Sequence, residues 1–208
     1  NIAAMLVSFL FTVTSALSFE ANWKASCGSD FSNPENGTYI FTVKKGEVGG
    51  CPSDSKNQRH ASTAWKFSER AEVCNCDGNM NFGKYEWSAH IEIDRSCEDP
   101  AYRNTLFQFH NGRIGSPPSW IGIDGTNNFM VNKPHLRRIP LPEVPKNKFK
   151  LTAKIDIIPK KIDVEYLLNN KFMIRTEDDG PFTDKIFIKF GVYRVNAFCS
   201  ITQTYTNV

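Results

Sequence analysis

The dominant pattern along this chain is a two-residue alternation of apolar and polar side chains. It is clearest from Tyr85 to Asp94, where every second side chain is apolar and the intervening ones are polar or charged. Since successive side chains of a strand point to opposite faces, this period predicts strands with one buried face. The same pattern predicts further strands at 38–43, 68–73, 104–110, 119–123, 127–131, 148–158, 161–168, 171–176 and 185–195.

Turn-forming residues separate these segments, and helical periodicity is scarce. Asn111-Gly112, Asp124-Gly125 and Asp179-Gly180-Pro181 are turn signals of this kind. Many short strands with hardly any helix predict an all-β fold, an antiparallel β-sandwich of the jelly-roll type. The proline-rich segment 137–145 is predicted to be a surface crossover loop.

The N-terminal segment differs from the rest of the chain. Residues 2–18 are uncharged and largely apolar, and the small residues Ala16 and Ser18 precede a favourable cleavage point before Phe19. This pattern predicts a signal peptide at 1–18, itself lacking its first residues, and a single domain at 19–208. We therefore expect a secreted, extracellular protein with no membrane segment after cleavage. A membrane anchor is the alternative, which the Thr and Ser residues of the segment disfavour.

The cysteines agree with export into an oxidising compartment. Their even number of 6 favours disulfides, although the sequence leaves the pairing open. Zinc is the alternative, but Cys74 and Cys76 lack the spacing of common zinc sites and the histidines are not paired. We therefore expect no metal. Asn36-Gly37-Thr38 fits the N-glycosylation sequon, which makes Asn36 the expected acceptor.

Composition and charge narrow the class of partner. The chain is 40% hydrophobic and 23% charged, as is ordinary for a globular protein. Its net charge of +3 is too small to indicate a nucleic-acid partner, because such binding needs many clustered phosphate contacts.

Three of the predicted strands carry chemically capable polar side chains opposite an apolar face. In each strand the alternate apolar residues are expected in the core, so the intervening polar residues share the outer face. The outward groups are Arg70 and Glu72, Gln108 and His110, and Lys189 and Tyr193. Gly191 is expected to open space for another group to approach the backbone. Polar side chains are routine on a solvated sheet face, so their joint identity carries the prediction.

Together these three segments resemble the alginate-lyase superfamily of polysaccharide lyases, the jelly-roll enzymes of family seven and their glucuronan-lyase relatives. That group carries R-[ST]-E-L-R, then Q-[IV]-H, then Y-F-K-x-G-x-Y-x-Q, in this chain order. The matching blocks here are Arg70-Ala71-Glu72-Val73, Gln108-Phe109-His110 and Lys189-Phe190-Gly191-Val192-Tyr193. The pattern departs at Cys74, which replaces the second arginine, and at Val195, which replaces the last glutamine.

The resemblance implies β-elimination at a uronic-acid residue of a polysaccharide such as alginate or glucuronan. Arg70 and Gln108 would neutralise the uronate carboxylate as negative charge develops on it. His110 is the natural base near neutral pH, and Tyr193 is the natural acid for the departing oxygen. If the proton and that oxygen lie on the same side of the sugar, Tyr193 would serve as base and acid in turn. The sequence leaves both schemes open.

Further residues are predicted to bind the substrate. Glu72 and Lys189 share the faces of the catalytic candidates, and His90 lies on the polar face of 85–94, where it would border the same cleft. A hydrogen-bonded structural role is the alternative for His90. The scheme needs no metal or cofactor. The expected partner is an anionic polysaccharide, and the protein is expected to be a monomer.

Two other functions compete with the lyase. Glu92-Ile93-Asp94 resembles the start of the E-[IL]-D-x-x-E motif of laminarinase-type glycoside hydrolases, although the next glutamate, Glu98, is too distant. A lectin-like jelly roll would bind carbohydrate without cleaving it. Its candidate sugar-stacking residues are Tyr102, Trp120, Phe129 and Tyr166.

Overall fold

The computed structural model describes residues 23–26, 31–33, 35–44, 68–77, 80–94, 104–111, 117–124, 126–132, 140–179, 185–195 and 199–208. The predicted signal peptide, Cys27, Cys51, Cys97, Tyr102 and Glu98 lie outside these ranges. Of the helices described, none has the length and apolar character that a bilayer crossing requires.

The described chain folds into strands. They are β1 (Lys24–Ala25), β2 (Tyr39–Val43), β3 (Ser68–Cys74), β4 (Gly83–Ile93), β5 (Asn104–His110), β6 (Ser119–Ile123), β7 (Phe129–Val131), β8 (Phe149–Ile158), β9 (Lys161–Leu168), β10 (Lys171–Asp179), β11 (Phe187–Val195) and β12 (Ile201–Thr206).

These strands form two antiparallel six-stranded sheets. The first has the order β1-β3-β11-β5-β6-β7 and is called the front sheet below. The second has the order β10-β9-β8-β4-β12-β2 and is called the back sheet. The strands β5-β6-β7 and β8-β9-β10 follow one another along the chain, whereas β11 lies between β3 and β5, and β4 lies between β8 and β12, so the order requires crossover connections. The antiparallel β-sandwich predicted from the sequence is confirmed.

The hydrophobic core lies between the sheets and is built from the alternating apolar residues. The front sheet contributes Val73, Phe107 and Phe190, and the back sheet contributes Ile91 and Leu151, all of which are buried. The polar residues between them in sequence therefore face away from the core. This face assignment agrees with the sequence pattern for β3, β4, β5 and β11.

A small buried polar cluster also joins the two sheets. Ser119 Oγ of β6 lies 2.6 Å from the Tyr166 hydroxyl of β9 and 2.7 Å from Thr176 Oγ1 of β10. Burial raises the pKa of Tyr166, so its hydroxyl keeps its proton within this cluster.

Most predicted strands coincide with observed ones, and two observed strands were missed. β1 is too short to give a periodic signal. β12 was missed although its pattern is regular: Ile201, Gln203 and Tyr205 are buried while the intervening threonines are partly exposed. Threonine is β-branched and favours strands, so this Thr-rich alternation was a usable signal.

The alternation of β5 is interrupted at Leu106, because Leu106 and Phe107 both pack in the core. The register shifts at this point against both β11 and β6, as in a β-bulge. Across from it Gly191 has a φ of 127°, and a Cβ there would lie 2.4 Å from the Ala71 carbonyl oxygen. The Tyr205 hydroxyl, from the back sheet, lies 3.2 Å from the carbonyl oxygens of both Leu106 and Gly191. Gly191 thus leaves space for the close approach predicted from the sequence, and the group that approaches it is the backbone of β3.

Candidate functional site

The register of the front sheet brings the three sequence blocks together. β11 lies between β3 and β5, and pairs antiparallel with both. Tyr193 is directly opposite Arg70 on β3, while Lys189 is directly opposite Gln108 on β5. Since directly paired residues share a face, these side chains and that of His110 project from the outer face of the front sheet. The outer face at β3, β11 and β5 is called the site face below.

Glu72 lies at the centre of a continuous hydrogen-bonded network on the site face. Its Oε2 accepts a hydrogen bond from Arg70 Nη1 at 3.1 Å, and its Oε1 accepts one from Gln108 Nε2. The other end of the Gln108 amide, Oε1, lies 3.2 Å from His110 Nε2. Both ends of the Gln108 side chain are therefore held by neighbours.

Arg70 connects this network to Tyr193. Its guanidinium carbon lies 4.4 Å from the centre of the Tyr193 ring, in cation–π geometry. The same guanidinium forms the ion pair with Glu72, and only 10% of the Arg70 side chain is exposed. A fork held from two sides in this way loses little entropy when it binds a carboxylate, and its planar donors suit one.

His110 is held against a ring and kept neutral. It stacks on Phe187, with ring centres 4.7 Å apart and planes within 2° of parallel. Burial, followed by the positive charges of Lys189 and Arg70, lowers the pKa of His110 from 6.5 to about 3. The imidazole therefore has no proton to give at neutral pH beyond its single N–H.

Lys189 occupies the floor of the site face. Its Nζ donates a hydrogen bond to Ser26 Oγ at 2.9 Å, and only 8% of the residue is exposed. Its charge acts on the site through space, and the direct substrate contact predicted from the sequence would use an N–H of the ammonium group that is not given to Ser26. Ser26 follows β1, so the beginning of the described chain covers this part of the sheet.

The end of β3 is pinned next to Lys189. Cys74, directly opposite Lys189, forms a disulfide with Cys76. Between them, the Asn75 side-chain oxygen accepts a hydrogen bond from the Ile188 amide at 2.7 Å. Cys74 is thus a half-cystine that fixes the strand end. The structure also has Cys199 in a disulfide.

Two residues predicted to bind substrate are not exposed on the site face. Glu72 is 1% exposed and both of its carboxylate oxygens are engaged within the protein, so it lies beneath the site face and not at its surface. His90 lies on β4 of the back sheet, on the outer face, where Asn207 Nδ2 is 3.3 Å from its Nδ1. Adjacent strands along the chain, β4 and β5, belong to different sheets, which is why the expected common cleft does not form.

The described residues of the competing functions are either placed away from the site or buried. Glu92 is exposed on the back sheet, opposite Thr204 of β12. Phe129 and Tyr166 are buried in the core, so neither can stack on a sugar ring. Trp120 lies opposite Gln108 and shares the site face, but it is only 7% exposed.

Sequence reasoning missed three residues of the site. Phe187, which supports His110, follows the same alternation as Lys189 and could have been included. Thr105, which lies opposite Tyr193, was hidden because the bulge at Leu106 reverses the alternation. Ser26 reaches Lys189 across a sequence distance of 163 residues, for which the sequence carries no signal.

A second charged surface lies on the outer face of the back sheet. A depression of about 350 Å³ there is lined by charged residues of β4, β8, β9 and β10. Its cations face carboxylates: Arg175 pairs with Asp163, and Lys84 Nζ lies 3.7 Å from Asp156. Such exposed pairs are typical of a solvated sheet face. In the part of the chain that the structure describes, no group of three or more His, Cys, Asp or Glu side chains is arranged to hold a metal ion.

Comparison with known proteins identifies relatives of the fold only. No protein-family model and no curated protein sequence matches the chain. The catalytic domain of the glycoside hydrolase family 131 protein from Coprinopsis cinerea is 15% identical, with a TM-score of 0.51 over 82% of this chain and 68% of that one. A sialidase has a TM-score of 0.54 and is 10% identical over 89% of this chain, and the match covers only 16% of the sialidase. The alginate lyase from Klebsiella pneumoniae has a TM-score of 0.48 and is 12% identical, over 85% of this chain and 82% of that one.

Proposed function

We propose that this protein is a carbohydrate-active enzyme, and specifically a polysaccharide lyase that cleaves a uronic-acid polymer of the alginate or glucuronan type by β-elimination. The observation that carries the proposal is the contact network on the site face. Arg70, Gln108, His110 and Tyr193 come from three strands that are distant in sequence, and each has the residue type and chain order of the lyase motifs.

The first task of such a site is to acidify a proton next to a carboxylate. The C5 proton of a uronate is barely acidic until the charge of the adjacent carboxylate is neutralised. Arg70 offers a planar set of N–H donors, and Gln108 has a second amide N–H besides the one given to Glu72. Donors that are already oriented stabilise the developing charge without reorganising at the moment of reaction.

The second task is proton transfer. His110 is neutral in the free protein and therefore able to accept the C5 proton. An anionic substrate beside it raises its proton affinity, because a nearby negative charge favours the protonated imidazole. Tyr193, under the Arg70 guanidinium, is the donor to the departing O4 oxygen. If the proton and O4 lie on the same side of the sugar, Tyr193 carries out both transfers.

Secretion of the protein is part of the same proposal. The Cys74–Cys76 disulfide supports an oxidising compartment, where such bonds persist. Asn36 is exposed in a turn with Gly37 at a φ of 73°, which suits its proposed glycosylation. A secreted location is also where a polysaccharide substrate would be met.

The test is to incubate the purified protein with polymannuronate, polyguluronate, glucuronan and polygalacturonate, and to follow ultraviolet absorbance. Only elimination creates the 4,5-unsaturated uronate that absorbs. We expect His110→Asn and Tyr193→Phe to lower the rate by about 100-fold or more, which is the usual contribution of acid–base groups. His90→Asn, on the back sheet, is the matched control and should retain the rate.

The competing functions give different results. New reducing ends without the unsaturated chromophore would indicate a hydrolase. Binding of the polymers without any cleavage would indicate a lectin-like protein. Either result would overturn the lyase proposal.

A further inference from the structure

The hydrogen bonds that join Glu72, Gln108 and His110 determine the orientation of the Gln108 amide as well as the positions of the three side chains. A carboxylate paired with Arg70 can only accept hydrogen bonds. Both oxygens of Glu72 do so, one from Arg70 and the other from Gln108. The Gln108 amide must therefore turn its NH₂ group towards Glu72.

This orientation fixes what Gln108 presents to His110. With the NH₂ group directed at Glu72, the amide oxygen Oε1 is the atom that lies 3.2 Å from His110 Nε2. A carbonyl oxygen accepts and cannot donate, so the ring nitrogen that faces it must carry a proton. In a neutral imidazole only one nitrogen is protonated, which leaves the lone pair on Nδ1.

The surroundings of His110 are consistent with a neutral ring of this form. Burial and the charges of Lys189 and Arg70 lower the pKa of His110 to about 3, so at neutral pH the ring has a single proton. Among the described residues, its Nδ1 has no hydrogen-bond partner. The ring is also unable to rotate freely, because it is stacked on Phe187.

We propose that Glu72 is a positioning residue that selects the Nε2–H tautomer of His110 through the Gln108 amide, so that Nδ1 is the atom which accepts the substrate proton. The tautomer stands on the hydrogen-bond geometry alone, whereas the role of Nδ1 as the base rests on the proposed lyase function. Glu72 never touches the polymer. Its removal acts on the reaction indirectly, by changing which nitrogen of His110 is free and by weakening the ion pair that helps to hold Arg70.

Glu72→Gln removes the constraint with almost no change in shape. The new amide can either accept from or donate to Gln108, so the Gln108 side chain can turn over and present its NH₂ group to His110. That orientation requires the Nδ1–H tautomer. Glu72→Asp is the conservative control, because it keeps a group that only accepts hydrogen bonds.

The experiment is long-range ¹H–¹⁵N NMR on protein labelled with ¹⁵N-histidine, without substrate, using His110→Gln to assign the signals. In the wild type we expect a pyrrole-type Nε2 and a pyridine-type Nδ1 for His110. In Glu72→Gln we expect a population with protonated Nδ1, and in Glu72→Asp the wild-type pattern. A protonated Nδ1 in the wild type overturns the inference, even if the glutamine variant fails to fold. Retention of the wild-type pattern in a folded Glu72→Gln protein overturns it as well.

Kinetic measurements then test whether the tautomer of His110 matters for catalysis. For a polymer that the wild type cleaves, kcat of Glu72→Gln should fall by at least the factor by which the Nε2–H population falls. A change in KM would report the weakened ion pair between Glu72 and Arg70. An unchanged kcat despite a mixed tautomer would refute Nδ1 as the base. Absence of all eliminative activity would refute the lyase function but leave the tautomer result standing.

Discussion

Replacing His110 with glutamine tests whether the site face holds this imidazole in its neutral form. Burial, together with Lys189 and Arg70, lowers the pKa of His110 from 6.5 to about 3 in the folded protein. Between these pH values the unfolded chain binds a proton that the folded chain does not. Stability must therefore fall as pH decreases through this window, and it is fully retained only above the unfolded pKa.

The size of the effect follows from the shift. One pKa unit corresponds to about 1.4 kcal/mol, so acidification from about pH 7.5 to about pH 5 costs the folded wild type about 2 kcal/mol through this single group. Glutamine does not titrate and keeps a hydrogen-bonding amide. We expect the His110→Gln variant to lose less stability over this interval, so that its free energy of unfolding gains about 2 kcal/mol relative to wild type.

The assay is urea unfolding at several pH values, followed by tryptophan fluorescence. Carboxylates that titrate in the same range contribute to both proteins and cancel in the comparison. His90→Gln, on the outer face of the back sheet, supplies the comparison for losing an imidazole outside the site. A difference between wild type and His110→Gln that stays constant with pH would refute the argument, because it would mean that the folded protein does not suppress protonation of His110.

Two further predictions concern the backbone that shapes the site. Gly191→Ala should cost about 3 kcal/mol or more, because it combines a strained φ with a Cβ 2.4 Å from the Ala71 carbonyl oxygen. Gly37→Ala is its control: its φ is also positive, but the nearest atom to a Cβ there is 3.6 Å away, so about 1–2 kcal/mol is expected. Equal losses for the two in denaturant unfolding would contradict the steric argument. Tyr205→Phe removes a phenol whose single O–H proton is shared between Gln203 Oε1 at 2.9 Å and the two bulge carbonyls at 3.2 Å. We expect this variant to lose about 1–3 kcal/mol of unfolding free energy and to have a lower lyase rate through a loosened β11. Unchanged stability would show that the phenol does not hold the bulge.

The strands and their faces were accessible from the sequence because alternation is a local property. A buried face requires an apolar residue at every second position, whatever the strand pairs with. The faces of Gln108 and His110 and of Lys189 and Tyr193 follow from this rule and agree with the structure. Where one residue is inserted, at Leu106, the alternation rule fails. Thr105 therefore lies on the site face although the alternation predicts the opposite face.

What the local pattern could not supply is which strands are neighbours. His90 and His110 both lie on polar strand faces, yet one belongs to the back sheet and the other to the front sheet. The change of Glu72 from a predicted substrate ligand to a buried acceptor has the same origin. Its burial depends on Arg70 and Gln108 closing over it from two strands, which no segment of sequence contains by itself.

The sequence by itself therefore determined the all-β architecture, the orientation of each strand face and the residue types available for chemistry, since all three depend on neighbours along the chain. The tertiary structure decided the order of strands in each sheet, the backbone irregularity around Gly191 and the hydrogen-bond network that orients His110. These depend on contacts between segments far apart in sequence, where register, and not composition, selects which side chains meet.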